Sequence, residues 1–132
     1  MTYLLDTHAF LWSAFCPAKL SGPAQTAICD PGNSVAVSTV TFWEISLKYA
    51  LDKIELEGAE PHDLPAAAQE MGYDLVLLGP SEASTFHKLP RGQHKDPFDR
   101  MLARQAIDRR WTLVSSDPVF AAYRTNGLQT LW

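Results

Sequence analysis

Short apolar runs alternate along the chain with longer stretches in which apolar residues recur at helical spacing. Runs that are apolar almost throughout are typical of parallel strands covered by helices on both faces, and the spacers here are long enough for crossover helices. The pattern therefore predicts an α/β protein, a three-layer α/β/α sandwich around a mostly parallel sheet. The predicted strands are residues 3–5, 35–37, 75–78, 112–114 and 128–132.

Turn-forming residues separate these elements, and we find no repeat, low-complexity tract or interdomain linker. A chain of 132 residues with 46% hydrophobic content can bury one core of ordinary size. We therefore expect residues 1–132 to form a single domain. Cys16 and Cys29 fit neither a disulfide framework nor a zinc site, and we expect both to be small buried apolar residues.

No apolar run approaches the roughly 18 residues that a membrane span requires. Asp6 and His8 also interrupt the apolar N-terminal stretch before a signal-peptide core could form. We therefore expect a cytoplasmic protein that does not use a membrane.

Two helical stretches place an acid at the border of an apolar face. In residues 40–51, Glu44 lies one helical step from Val40 and Leu47. In residues 97–110, Asp99 shares a face with Ala103 and Ala106. Both acids are therefore expected to turn toward the interior.

Four acids are predicted to meet at one edge of the sheet. Asp6 directly follows the first strand, and Asp117 follows "TLVSS", so both stand at carboxyl ends of strands, where open parallel sheets bind ligands. Glu44 is about one turn inside the helix that follows the second strand and opens at the same edge. The fourth acid comes from "HKDPFDR".

Pro97 separates the two aspartates of "HKDPFDR". A residue before proline is pushed out of the α region, so Asp96 fits the N-cap, with Pro97 as the first helical residue. Its oxygen can accept a hydrogen bond from the backbone N–H of Phe98 or Asp99. Asp99 is then free to face the pocket.

Each acid also has a purely structural explanation. Asp6 and Asp117 could cap the helices that follow them, Glu44 could pair with Lys48, and Asp99 could complement a helix dipole. Taken together, these structural explanations do not account for the recurrence of acids at one predicted edge of the sheet. For the four acids as a set, we therefore favour a functional explanation.

Clustered carboxylates repel one another, and a divalent cation resolves that conflict. Mg²⁺ and Mn²⁺ prefer oxygen ligands and often keep water and substrate phosphate in their coordination shell. The expected chemistry is metal-assisted attack of water on a phosphoryl group.

The formal net charge of −4 hides an asymmetry. Residues 88–110 contain seven of the eleven Lys and Arg residues and only three Asp, which makes this segment +4 and the remainder −8. The segment is either a solvated helix face or a patch that steers phosphate toward the acidic pocket.

The chain resembles the PIN-domain ribonucleases, in particular the VapC-type toxins of bacterial toxin–antitoxin pairs. The resemblance covers nearly the whole chain and is carried by four stretches, of which the first and third are the most specific: "YLLDTHAFLW", "STVTFWEISLKYA", "HKDPFDRMLARQA" and "TLVSSDPVFAAY". It implies a strand order of 3-2-1-4-5, dependence on Mg²⁺ or Mn²⁺, endonucleolytic cleavage of RNA, homodimerisation and neutralisation by a cognate antitoxin.

By the same resemblance, the metal-binding and catalytic acids are Asp6, Glu44, Asp99 and Asp117. Asp96 is less securely a ligand. Several other residues are candidates for supporting the acids or contacting substrate: Thr7, Ser38, His94, Arg100 and Ser115 or Ser116. The structural alternatives are that the hydroxyls satisfy local backbone groups and that His94 marks the helix entry.

The alternative function is a PIN-like module that binds RNA without cutting it. The full set of four acids argues against this alternative, because binding alone would favour fewer negative charges near phosphates.

Overall fold

Five parallel strands form one central sheet in the computed structural model, which describes residues 1–92 and 94–132. The order across the sheet is β3-β2-β1-β4-β5. In the register, Leu4 pairs with Ala36 on one side and with Leu113 on the other. The α/β class and the order implied by the resemblance are confirmed. The strands are β1 (Thr2–Leu5), β2 (Ser34–Ser38), β3 (Asp74–Val76), β4 (Thr112–Val114) and β5 (Gln129–Leu131).

Helices connect the strands and carry the chain from the carboxyl edge of the sheet back to the edge where the next strand begins. Several of them begin at a side chain that accepts a hydrogen bond from the first turn, as Ser21 does for Ala24. The α-helices are α1 (Thr7–Phe15), α2 (Gly22–Cys29), α3 (Thr39–Ala50), α4 (Leu64–Glu70), α5 (Pro80–Ser84) and α6 (Pro97–Arg109). Short 3-10 segments lie at Pro17–Lys19, Pro61–Asp63, Phe86–Lys88 and Pro118–Asn126.

Alternate residues of the central strands enter two separate cores. Leu5 faces the core that α1, α2 and α4 cover, where Phe10 and Leu64 are buried. Leu4 faces the opposite core, which α6 and the segment Pro118–Asn126 cover with Leu102 and Phe120. This alternation follows from the two-residue period of a strand, and it produces the predicted three layers. Helix α3 contributes to both cores.

The structure differs from the predicted elements mainly at their ends. Strand β3 is Asp74–Val76, and Leu77 is 73% exposed, because the chain leaves the sheet at its outer edge before the apolar run is finished. The two long helices, α3 and α6, agree with prediction to within one residue at each end. The expectation for the cysteines was wrong, since Cys16 is half-buried and Cys29 is exposed. Within the described residues, no helix has the length and apolar character for crossing a membrane.

Candidate metal centre at the carboxyl edge of the sheet

Asp6 leaves β1 at the carboxyl edge and is almost completely buried, with 4% exposure. Its Oδ1 accepts a hydrogen bond of 2.7 Å from the backbone N–H of Ala9 and so caps α1, while its own N–H donates to the carbonyl of Val114 on β4. Burial raises the pKa of Asp6, and the field of Glu44 adds to the rise, although hydrogen bonds from Ser115 and Ala9 oppose it. Asp6 therefore caps a helix and also faces a second carboxylate.

Glu44 lies in the second turn of α3, and only 2% of it is exposed. The hydroxyl of Thr7 donates to its Oε1 at 2.6 Å, and Lys48 forms an ion pair with its Oε2. Because Thr7 is the neighbour of Asp6, this hydrogen bond ties α3 to the end of β1. The pairing of Glu44 with Lys48 that the sequence allowed is present, but it lies at a buried carboxylate and not on a solvated face.

Lys48 forms an ion pair with Glu44 on its own helix and lies in the field of Asp96 and Asp99 at the start of α6. Burial would lower its pKa, but the hydrogen bond and charge of Glu44 and the fields of Asp96 and Asp99 outweigh burial and raise it. The side chain is about one-third exposed, at 33%. Lys48 therefore compensates part of the negative charge of the site from its solvent side.

Asp96 has the capping role at the start of α6 that its position before Pro97 predicted. Asp96 is the N-cap, and its Oδ1 accepts from the backbone N–H of Phe98 at 2.9 Å and of Asp99 at 3.2 Å. Burial, followed by the charges of Asp96 and Glu44, raises the pKa of Asp99 to about 6. A carboxylate under this repulsion favours a cation beside it.

His94 contacts the carboxylate of Asp99 from the loop before α6. Its Nε2 lies 3.3 Å from Asp99 Oδ2, and its Nδ1 lies 3.1 Å from the hydroxyl of Tyr123. The ring packs edge-on against Phe120, so the imidazole is held on both sides. Nothing in the sequence pattern distinguished Tyr123 from the core residues around it, because its contact with His94 joins positions far apart in the chain.

Asp117 is the outlying acid of the predicted set. It is exposed, and its Oδ1 accepts from the backbone N–H of Val119 at 3.0 Å, so it caps the segment Pro118–Asn126. Ser115 acts on both strand-end acids, because hydrogen bonding by its side chain lowers the pKa of Asp6 and its Oγ accepts from the N–H of Asp117 at 3.1 Å. Ser115 is buried, whereas Ser116 is exposed.

Two other candidates make bonds that favour structural roles. Ser38 caps α3 by accepting from the N–H of Val40 and donates to Gln105. Arg100 is buried, and its guanidinium donates to the carbonyl oxygens of Pro90 and His94 while it lies over the ring of Phe86. Arg100 therefore secures the loop that carries His94.

The donor chemistry of the site fits a hard divalent cation. Among the residues that the structure describes, no group of three or more Asp, Glu, His or Cys side chains lies close enough together to hold a metal ion as it stands. Asp6, Glu44 and Asp99 nevertheless reach one edge from three elements, and the charge of Glu44 contributes to the raised pKa values of Asp6 and Asp99, although Lys48 compensates part of that charge. Carboxylate oxygens are the donors that Mg²⁺ and Mn²⁺ prefer.

Comparison with known proteins agrees with this architecture. The family described as "PIN domain" matches residues 3–126. The chain is 30% identical over 131 residues to Ribonuclease VapC22 of Mycobacterium tuberculosis, and the match covers 99% of this chain and 98% of that protein.

Solved structures share the fold at low sequence identity. The structure of VapBC2 from Rickettsia felis bound to a promoter DNA fragment matches with a TM-score of 0.69 and 16% identity, and covers 99% of this chain and 98% of that chain. VapBC-1 from nontypeable Haemophilus influenzae matches with a TM-score of 0.62 and 17% identity, over 99% and 97% of the two chains. Taken with the match of the family over residues 3–126, these similarities show that the chain belongs to the PIN-domain family.

Proposed function

We propose that this protein is a divalent-metal-dependent endoribonuclease that acts as the toxin of a toxin–antitoxin pair. The observation that carries the proposal is that Asp6 and Asp99 each lie close enough to Glu44 for its charge to raise their pKa values, with Asp6 and Glu44 buried. A relative that is 30% identical over nearly the whole chain is named a ribonuclease, which supports RNA as the substrate.

We assign the metal ligands to Asp6, Glu44 and Asp99, with Asp117 completing the set from the end of β4. The ion would be Mg²⁺ or Mn²⁺. When bound, such an ion activates a water molecule for attack on the RNA phosphodiester and neutralises charge that develops on the phosphate.

The chain holds each proposed ligand by a separate contact. The N–H of Ala9 orients Asp6, the hydroxyl of Thr7 orients Glu44, and His94 contacts Asp99. Preorganised carboxylates lose less freedom when an ion binds, and outer contacts of this kind commonly contribute about 10–100-fold to metal affinity.

Basic residues near the site would attract the substrate. Arg91 and Lys95 are exposed on the loop before α6, within the segment of net charge +4. Arg100 of the same segment is buried and bonded to carbonyls. We therefore assign the phosphate contacts to Arg91 and Lys95 in preference to Arg100.

We further propose that the protein binds a cognate antitoxin and forms a homodimer. Similar solved structures are VapBC complexes, described as members of toxin–antitoxin systems in one case. The exposed side of α3 and its C-cap also present Trp43, Leu47 and Leu51 at helical spacing, an apolar surface of the kind that partners cover.

The test is cleavage of a broad RNA panel by purified protein with Mg²⁺ or Mn²⁺, with and without EDTA. We expect cleavage that requires the ion and is lost in Asp6→Asn. Asparagine caps a helix as well as aspartate does, so this variant should remain folded. Asp74→Asn, which changes an exposed aspartate of β3, is the matched control and should cleave normally.

Equal cleavage by wild type and Asp6→Asn would contradict the assignment of the site. Binding of RNA by wild type without cleavage of any RNA in the panel would instead favour the alternative of a silent RNA-binding module.

A further inference from the structure

Gln105 is a polar side chain in the apolar core of the α6 side of the sheet. Its exposure is 0%, and Leu102 and Ala106 beside it on α6 are equally buried. An amide in such a position destabilises the fold unless its polar atoms are bonded. Both ends of the amide are bonded, and the partners belong to other elements.

The Gln105 amide connects the start of α3 to α5. The hydroxyl of Ser38 donates to Gln105 Oε1 at 2.5 Å, and Gln105 Nε2 donates to Glu82 Oε2 at 2.8 Å. Ser38 Oγ also accepts from the N–H of Val40, so the hydroxyl that caps α3 is the hydroxyl that bonds α6.

Glu82 determines which way the amide points. Burial alone would raise the pKa of Glu82, but hydrogen bonds from Arg109, Gln105 and the N–H of Gly79 lower it below its ordinary value. Glu82 is therefore an ionised acceptor, and only the NH₂ group of Gln105 can face it. The carbonyl of Gln105 must then face Ser38, which gives the bridge a single orientation.

The bridge spans the two helices that carry proposed metal ligands. Glu44 lies six residues after Ser38 on α3, and Asp99 lies six residues before Gln105 on α6. Six helical residues correspond to about 9 Å, so the bridge lies within two turns of both acids. Closer to the acids, the helices also meet through the rings of Trp43 and Phe98, whose centroids are 5.0 Å apart.

We propose that Gln105 is a positioning residue, which holds α3 against α6 through Ser38 and Glu82 and thereby sets the separation of Glu44 and Asp99 for metal binding. The inference rests on the proposed function of these acids. Its physical basis is that the two carboxylates repel each other, so the helices that carry them need a connection that does not depend on the ion.

The test compares Gln105→Met with Leu64→Ala in the full chain. Methionine keeps the length of glutamine but makes neither hydrogen bond. Leu64 is buried in the opposite core and controls for a general loss of stability. Mn²⁺ binding is measured by the electron paramagnetic resonance signal of free Mn²⁺, and hydrogen exchange is measured at the amides of residues 39–44.

We expect Gln105→Met to weaken Mn²⁺ binding about tenfold or more relative to Leu64→Ala. The same variant should speed exchange at the first amides of α3. Equal Mn²⁺ affinity in the two variants would overturn the inference. Absence of Mn²⁺ binding by wild type would overturn the proposed function, and the exchange data would then decide separately whether Gln105 holds α3.

A reciprocal exchange tests the bridge itself. Gln105→Glu should weaken Mn²⁺ binding, because it places a second carboxylate beside Glu82. Adding Glu82→Gln restores a donor opposite an acceptor, since the new amide can donate to the carboxylate at position 105. We expect the double variant to recover most of the lost affinity, and a double variant weaker than Gln105→Glu alone would count against the bridge.

Discussion

Asp96 and Asp99 stand on either side of Pro97, three residues apart, and the chain uses them differently. One carboxylate oxygen of Asp96 accepts hydrogen bonds from two backbone N–H groups. The side chain of Asp99 contacts His94 and lies in the field of Glu44. Burial and two neighbouring carboxylates raise the pKa of Asp99 to about 6. At the scale of single residues, the hydrogen bonds that Asp96 accepts from the backbone of α6 distinguish the cap from the proposed ligand.

The raised pKa of Asp99, caused by burial and then by its neighbouring carboxylates, predicts how the stability of the metal-free protein depends on pH. The folded-state pKa of Asp99, about 6, lies above its ordinary value of 3.8, so the folded state binds the proton more tightly than the unfolded state. Ionised Asp99 destabilises the folded state above pH 6, and this destabilisation is relieved as the pH falls toward 4 and the folded protein binds the proton. We therefore expect the free energy of unfolding, measured with denaturant, to be larger at pH 5 than at pH 7.

Asp99→Asn provides the control for that measurement. The raised pKa of Asp6 acts in the same direction, so the variant should show a smaller pH dependence that does not vanish. Glu82 has a lowered pKa and loses its contribution only at more acidic pH. An unchanged pH dependence in Asp99→Asn would show that the raised pKa of Asp99 is not the source of the effect.

At the scale of secondary-structure elements, three of the aspartates are positioned because they cap the start of a helical segment. Asp6 begins α1, Asp96 begins α6, and Asp117 begins the segment Pro118–Asn126, each by accepting from the backbone of the first turn. The structural explanations that the sequence allowed are therefore present in the protein. They do not compete with a metal site, because a carboxylate that caps with one oxygen retains a second.

The cap role of Asp96 can be measured directly. Asp96→Ala should lower the free energy of unfolding by about 0.5–2 kcal/mol, because two N–H groups of α6 lose their acceptor. Asp108→Ala, which removes an ion pair with Arg104 near the other end of α6, should cost less, about 0.2–0.5 kcal/mol. A smaller loss in Asp96→Ala than in Asp108→Ala, measured in urea, would be inconsistent with the cap.

The sequence predicted these elements because local rules decide them. Proline excludes Asp96 from the helix, and the helical period of α3 brings Glu44 to the border of the interior. The same rules could not predict that Gln105 bonds Ser38 or that Tyr123 contacts His94, since those contacts depend on how the helices pack across the sheet. A polar Gln105 among buried apolar positions was the available signal for a buried network.

The charge distribution becomes meaningful at the scale of the whole molecule. A chain of net charge −4 carries a basic segment in residues 88–110 immediately beside its buried acids. An acidic pocket repels phosphate, so under the proposed function the exposed cations at its border would bring RNA to it.

RNA affinity should therefore depend on salt through a few cations of that border. In the Asp6→Asn background, which we expect to bind RNA without cutting it, Arg91→Ala and Lys95→Ala should each weaken binding and reduce the slope of log K against log salt by about 0.7. Lys53→Ala, which removes an exposed lysine outside the basic segment, should leave the slope unchanged. Equal slopes in all three variants would contradict a role of the basic segment in substrate binding.

The position of the ion is the most direct test of the whole account. Crystals soaked in Mn²⁺ give an anomalous difference map in which the metal is identified by its own scattering. We predict a peak between the carboxylates of Asp6, Glu44 and Asp99 that disappears in Asp99→Asn. A map with no peak among these three carboxylates, in crystals of a protein that cleaves RNA with Mn²⁺, would contradict the assignment of the site.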